Sequence, residues 1–184
     1  MTATKRRTVL LGIILLAFLG LAYFENKAFF EYSGSLFAQP IVGVLVVFIH
    51  NILVVSLILL AMTFYVELVL AFFKPRKYEY IVLQHPRVFA SVFACMIIVL
   101  SILRASTLVF GSVALNGLAV VLLLSLPNGI IEGYGIYLTI QRTLKRNMTI
   151  RALLGIYLVF LLAAIVEVGF VQLLMYSNIV RFNP

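Results

Sequence analysis

Long apolar runs separated by short polar segments dominate the hydropathy pattern. The runs cover residues 8–24, 41–73, 88–110, 111–141 and 152–176. A hydrocarbon core about 30 Å thick needs about 20 consecutive apolar residues in helical form. In lipid every backbone polar group must be satisfied within its own segment, which selects helices over open strands. The pattern therefore predicts an all-α, polytopic helical membrane protein. It comprises one domain over 1–184, about five transmembrane helices and no appended soluble domain.

Each boundary has local chemistry behind it. Lys5, Arg6 and Arg7 precede the first run, and no small-residue cleavage pattern follows it, so it reads as a retained signal anchor. Gly12 and Gly20 are expected to be small contacts for a neighbouring helix. Residues 25–39 mix Glu25, Lys27 and Glu31 with aromatic residues. They predict a polar connection at headgroup level with a short interfacial helix, a turn at Ser33-Gly34-Ser35 and a new helix starting at Pro40. Lys74-Pro75-Arg76-Lys77 ends the second run, and residues 80–83 form an amphipathic patch before Pro86-Arg87. The fourth run contains Ser125-Leu126-Pro127-Asn128-Gly129-Ile130-Ile131-Glu132-Gly133-Tyr134-Gly135. Proline removes one helical hydrogen bond and crowds the preceding turn. That span is expected to be broken or kinked, with Pro127 and Gly129 as the hinge, and to cross once, kinked or partly re-entrant.

Charge sets the orientation. The chain carries 14 Lys and Arg against 6 Asp and Glu, for a net charge of +8. Five spans place Lys5, Arg6, Arg7, Lys74, Arg76, Lys77, Arg87, Arg142, Lys145, Arg146 and Arg151 on one side, with Lys27 and Arg181 on the other. The positive-inside rule makes the first side, and the N-terminus, cytoplasmic. Basic residues flanking apolar runs account for the charge, and the basic face needed for nucleic acid is missing. Composition agrees: 64% of residues are hydrophobic and 11% charged, against about 25% charged in soluble domains. The lone Cys95 cannot form an internal disulfide and is expected to be a small buried hydrophobe. The expected location is the plasma membrane, as a multi-pass protein.

Candidate chemistry falls in three places. Ser125, Asn128, Glu132, Gly135 and Thr139 share one helical stripe. This stripe either locks helices together or binds a proton, a cation or a polar group. Glu67, Glu132 and Glu167 form a set of membrane-embedded acids with Arg104 as the cation among them, and Arg104 is expected near Glu132 or Glu167. His50-Asn51 forms a third polar point, its two side chains about 100° apart on a helix. Asn116 adds an amide to the fourth run. With no aspartate and no His-Glu-x-x-His, Gly-x-Ser-x-Gly, P-loop or Cys-x-x-Cys motif, no catalytic residue, metal site or cofactor is expected.

Three short elements occur in order: Phe48-Ile49-His50-Asn51, Leu115-Asn116-Gly117 and Pro127-Asn128-Gly129-Ile130-Ile131-Glu132. Together they resemble the stage II sporulation protein M family over roughly residues 8–176. The family's last motif has the form Pro-His-Gly-x-x-Glu. Here Pro127, Gly129 and Glu132 are kept, and Asn128 stands in the histidine's place. The resemblance implies a multi-pass membrane protein that acts as a non-enzymatic scaffold or complex subunit. Its expected partners are the lipid bilayer and either further copies of itself or other membrane proteins. The alternative expectation, from the fourth run and its acid, is a small permease, channel or ion-coupled subunit.

Overall fold

The computed structural model describes residues 3–37, 39–72, 81–110 and 118–176, with backbone alone at 3–4, 30–37, 101, 103–110, 118–125 and 174–175. Its elements are α1 (Ala3–Phe37), α2 (Pro40–Phe72), α3 (Ile81–Gln84), α4 (Pro86–Phe110), α5 (Leu118–Leu144) and α6 (Ile150–Tyr176). No strand occurs among the described residues.

The ends of these helices follow from local chemistry. Pro40 and Pro86 occupy first helical positions, where a missing N–H costs nothing and φ is already helical. The α5–α6 connection is tightly specified at both ends. Arg146 N–H donates to the Thr143 carbonyl at 2.9 Å, and Asn147 N–H to the Arg142 carbonyl at 3.1 Å. This pair of bonds is a Schellman cap, which needs a left-handed residue between the helix end and Asn147. Arg146 is that residue, with φ 54°. Glycine is the usual occupant; an L side chain there costs roughly 1–2 kcal/mol. Thr149 then caps α6, its Oγ1 accepting from Ala152 N–H at 3.2 Å.

The five long helices alternate in direction. Arg7 meets Glu67, the Gly12 position meets Phe64, and Glu25 meets His50, so α1 and α2 are antiparallel. Asn128 with Glu167 and Gly135 with Phe160 fix α5 antiparallel to α6. Helices α2, α5 and α6 pack around one another; α1 flanks α2 and α4 flanks α5. One core cluster joins Val55, Ala90, Ile136, Ile140, Ile156 and Phe160. A second joins Phe29, Val47, Ala164 and Val168 farther from the N-terminus of α1.

The outside of the bundle is as apolar as its core. Leu10, Leu16, Val92, Leu158 and Leu162 are all exposed. A surface like this belongs in lipid, where helix association comes from close packing and interhelical polar contacts. Among the described residues three helices are long and apolar enough to cross a membrane: Lys5–Phe29, Pro40–Phe72 and Ile150–Leu173.

Several expectations are corrected. Residues 25–37 continue α1 as one helix of 35 residues, so neither the polar connection nor the turn at Ser33-Gly34-Ser35 forms. A charge ends a helix only where water is its best partner, and Glu25 finds its partner on α2. Helix α5 runs as one helix through Pro127, so of the break or kink expected there the break does not form. Proline leaves only the Leu123 carbonyl without its intrahelical donor, and glycines farther along α5 let α4 and α6 close on it. Cys95 is exposed, on the outward side of α4. Gly12 does meet a neighbour, Phe64, but a Cβ on Gly20 would meet nothing within 4 Å. Of the patch at 80–83, residues 81–83 lie in the single turn α3, and Tyr80 lies outside the described residues. Residues 111–117, with Asn116, lie outside the described residues.

Candidate functional site

Some of the polar side chains inside the bundle form interhelical pairs. On α1, Ala22, Glu25 and Phe29 share a face by their spacing. Ala22 and Phe29 are buried there. His50 of α2 is 5% exposed. Its Nδ1 lies 3.0 Å from Glu25 Oε1 and 2.9 Å from Oε2. Phe29 stacks on the imidazole, ring centroids 4.8 Å apart and planes 21° apart. The ring is thus held by an acid at one edge and an aromatic face across it.

Asn51 is equally buried, and its Nδ2 makes no hydrogen bond. The two neighbours differ because adjacent helical side chains diverge: His50 meets α1, whereas Asn51 cannot share that partner.

On α5 two members of the stripe read from the sequence, Asn128 and Gly135, meet α6. Asn128 Nδ2 donates to Glu167 Oε2 at 3.0 Å. Asn128 Oδ1 is buried and accepts nothing. Glu132 lies one turn along this face and is half-buried. A Cβ on Gly135 would overlap the buried Phe160 ring, so glycine is what lets α6 approach. Thr139 is fully buried and donates to the Gly135 carbonyl at 2.8 Å, and Thr143 repeats the pattern to Thr139 at 2.7 Å. Hydroxyls that bond back one turn are satisfied without a partner helix. The opposite face of α5, at Gly129 and Gly133, receives Ile98 of α4.

Glu67 sits at the other end of the α1–α2 pair. Arg7 Nη2 lies 3.8 Å from its Oε1, with the arginine side chain 68% exposed. Beside them a cleft of about 480 Å³ opens between α1, α2 and the α5–α6 connection, with Thr63, Glu67, Thr143 and Arg146 in its wall.

The structure thus joins Asn128 to Glu167, which the sequence left in separate groups. It gives His50 a partner, Glu25, and Glu67 a partner, Arg7; neither partner was among the sequence candidates. The signal for Glu25 was present: the apolar period of α1 continues through Ala22 to Phe29 and carries Glu25 on the same face. Arg104 lies on α4, and its side chain falls outside the described residues, as does that of Ser125. No group of three metal-ligating side chains occurs among the described residues.

No family model, curated protein or solved structure matches the chain.

Proposed function

We propose that the chain is a five-span, non-enzymatic protein of the plasma membrane, N-terminus cytoplasmic, that serves as a scaffold or subunit of a membrane complex. One observation carries this reading. Acids in or beside the apolar helices are engaged by neighbouring helices: Glu25 with His50, Glu167 with Asn128, Glu67 with Arg7. Polar groups used this way hold helices in register. The resemblance to the stage II sporulation protein M family points the same way. The five-span topology rests on five long alternating helices and on Arg7, Arg87, Arg142 and Arg151 collecting at one end.

Cross-linking in native membranes followed by purification is expected to recover a second copy or a membrane partner in fixed stoichiometry. A solitary monomer would count against the scaffold. With Cys95 replaced by serine, single cysteines near Thr149 and Gln39 should label from opposite sides of the membrane.

A second reading has its own observation. Asn51 Nδ2 and Asn128 Oδ1 are a donor and an acceptor without hydrogen bonds, both buried. Such atoms suit a small polar solute or an ion-linked water. Ion or solute flux in proteoliposomes, abolished by Glu132→Gln, would favour a transport subunit. Its absence across cations, anions and small solutes would leave the scaffold.

A further inference from the structure

We infer that the cleft at the basic end of the bundle binds a phosphate group, carried by an anionic membrane lipid. This rests on the membrane reading above and goes beyond it by assigning a ligand site. The cleft holds about 480 Å³, within the range of small-ligand pockets. Its walls are mixed: Arg7, Arg146 and Glu67 supply charge, and Leu59, Val66 and Met148 supply apolar surface. A phospholipid has the same division between headgroup and chain. Exposed Leu10 lies one helical turn from Arg7 toward the middle of α1, so apolar surface continues from the cleft along that helix.

The donors point to an anion. The Thr63 and Thr143 hydroxyls are committed to the Leu59 and Thr139 carbonyls. The guanidinium groups remain, each with five N–H donors in a fork that matches phosphate oxygens. Glu67 opposes an anion, but its separation of 3.8 Å from Arg7 exceeds hydrogen-bond length. It steadies the Arg7 side chain without occupying its donors. Two guanidinium groups against one carboxylate leave the cleft positive. Basic pockets between helices on the cytoplasmic side are the usual seats of anionic headgroups.

Arg146 supplies the second, independent observation. It occupies the left-handed position of the α5 cap, where glycine is favoured, and its side chain lines the cleft. Backbone strain held against local preference concentrates at binding sites. An arginine needed at the cleft explains a residue that the cap itself disfavours.

The test uses purified full-length protein in neutral detergent. Its probes are short-chain phosphatidylglycerol, short-chain phosphatidylcholine and inorganic phosphate. Phosphatidylglycerol is expected to bind more tightly than phosphatidylcholine. Arg7→Gln or Arg146→Gly should each weaken it about fivefold, and the double variant about twentyfold. Arg146→Gly relieves the strained cap, so without lipid its thermal midpoint should hold or rise, which separates lost binding from lost folding. Arg87→Gln removes an exposed charge outside the cleft and should leave binding unchanged. Equal loss in Arg87→Gln, no loss in the double variant, or equal affinity for phosphatidylcholine would overturn the proposal. Displacement by inorganic phosphate at concentrations matching the lipid would overturn the lipid as the source of the phosphate. Alkali-resistant insertion into phosphatidylcholine vesicles needs neither arginine, so it reads the membrane assignment separately.

Discussion

The α1–α2 pair carries an acid–base contact toward each end, and the two are built differently. Glu25 and His50 meet at 2.9 Å, with the imidazole buried and stacked on Phe29. Arg7 and Glu67 stand 3.8 Å apart, with the arginine mostly exposed. In the first pair the imidazole is desolvated and depends on its acid, while Glu25 keeps 24% exposure. In the second Glu67 is partly buried at 17% exposure but the arginine is mostly in solvent, so the long contact contributes little. A polar contact in the interior of this bundle fixes which helices meet; one at its basic end remains available to another ligand.

The sharpest way to break that comparison is His50→Ala. It leaves the Glu25 carboxylate without its partner and should lower stability by about 3 kcal/mol, the low end for breaking a buried pair because Glu25 keeps some exposure. Thermal or SDS titration in detergent measures this, and a loss as small as that of Glu67→Gln would erase the distinction. Gly135→Ala comes next, at about 2 kcal/mol, because the added methyl meets the buried Phe160 ring. Gly133→Ala should cost about 1–2 kcal/mol: of the two Ile98 atoms in its way the Cδ1 end can turn aside, whereas Cγ1 sits on a β-branched carbon with little freedom. A reversed order would show that α6, not α4, yields. Asn128→Ala removes the donor to Glu167 and should cost about 1–2 kcal/mol by the same titration. Glu67→Gln should change stability by at most about 0.5 kcal/mol, and less in high salt.

How far the sequence carries can be followed residue by residue. The stripe Asn128, Glu132, Gly135 and Thr139 is a matter of helical period, and Asn128 and Gly135 on it meet α6. Glu167 was visible as a costly acid, and Asn128 as a costly amide. That they meet each other depends on the register of α5 against α6, which period alone leaves open. Gly135 sets that register by admitting Phe160. The extent of α1 was misjudged for a related reason: Glu25 and Lys27 suggest water, and only the position of His50 turns Glu25 inward. Pro127 suggests a break. Its cost is one backbone bond, small beside the packing of the glycine-lined α5 against two neighbours.

Hydropathy and charge by themselves determined that the chain is helical and that its surface suits lipid. These are sums over many residues and survive local errors. Tertiary structure alone decided which acid takes which donor, that α1 continues past Glu25, and that Arg7 and Arg146 share a cleft. Each depends on one side chain meeting another from a distant part of the chain. Helix register selects such meetings through the fit of a few small residues, and no local propensity encodes that fit.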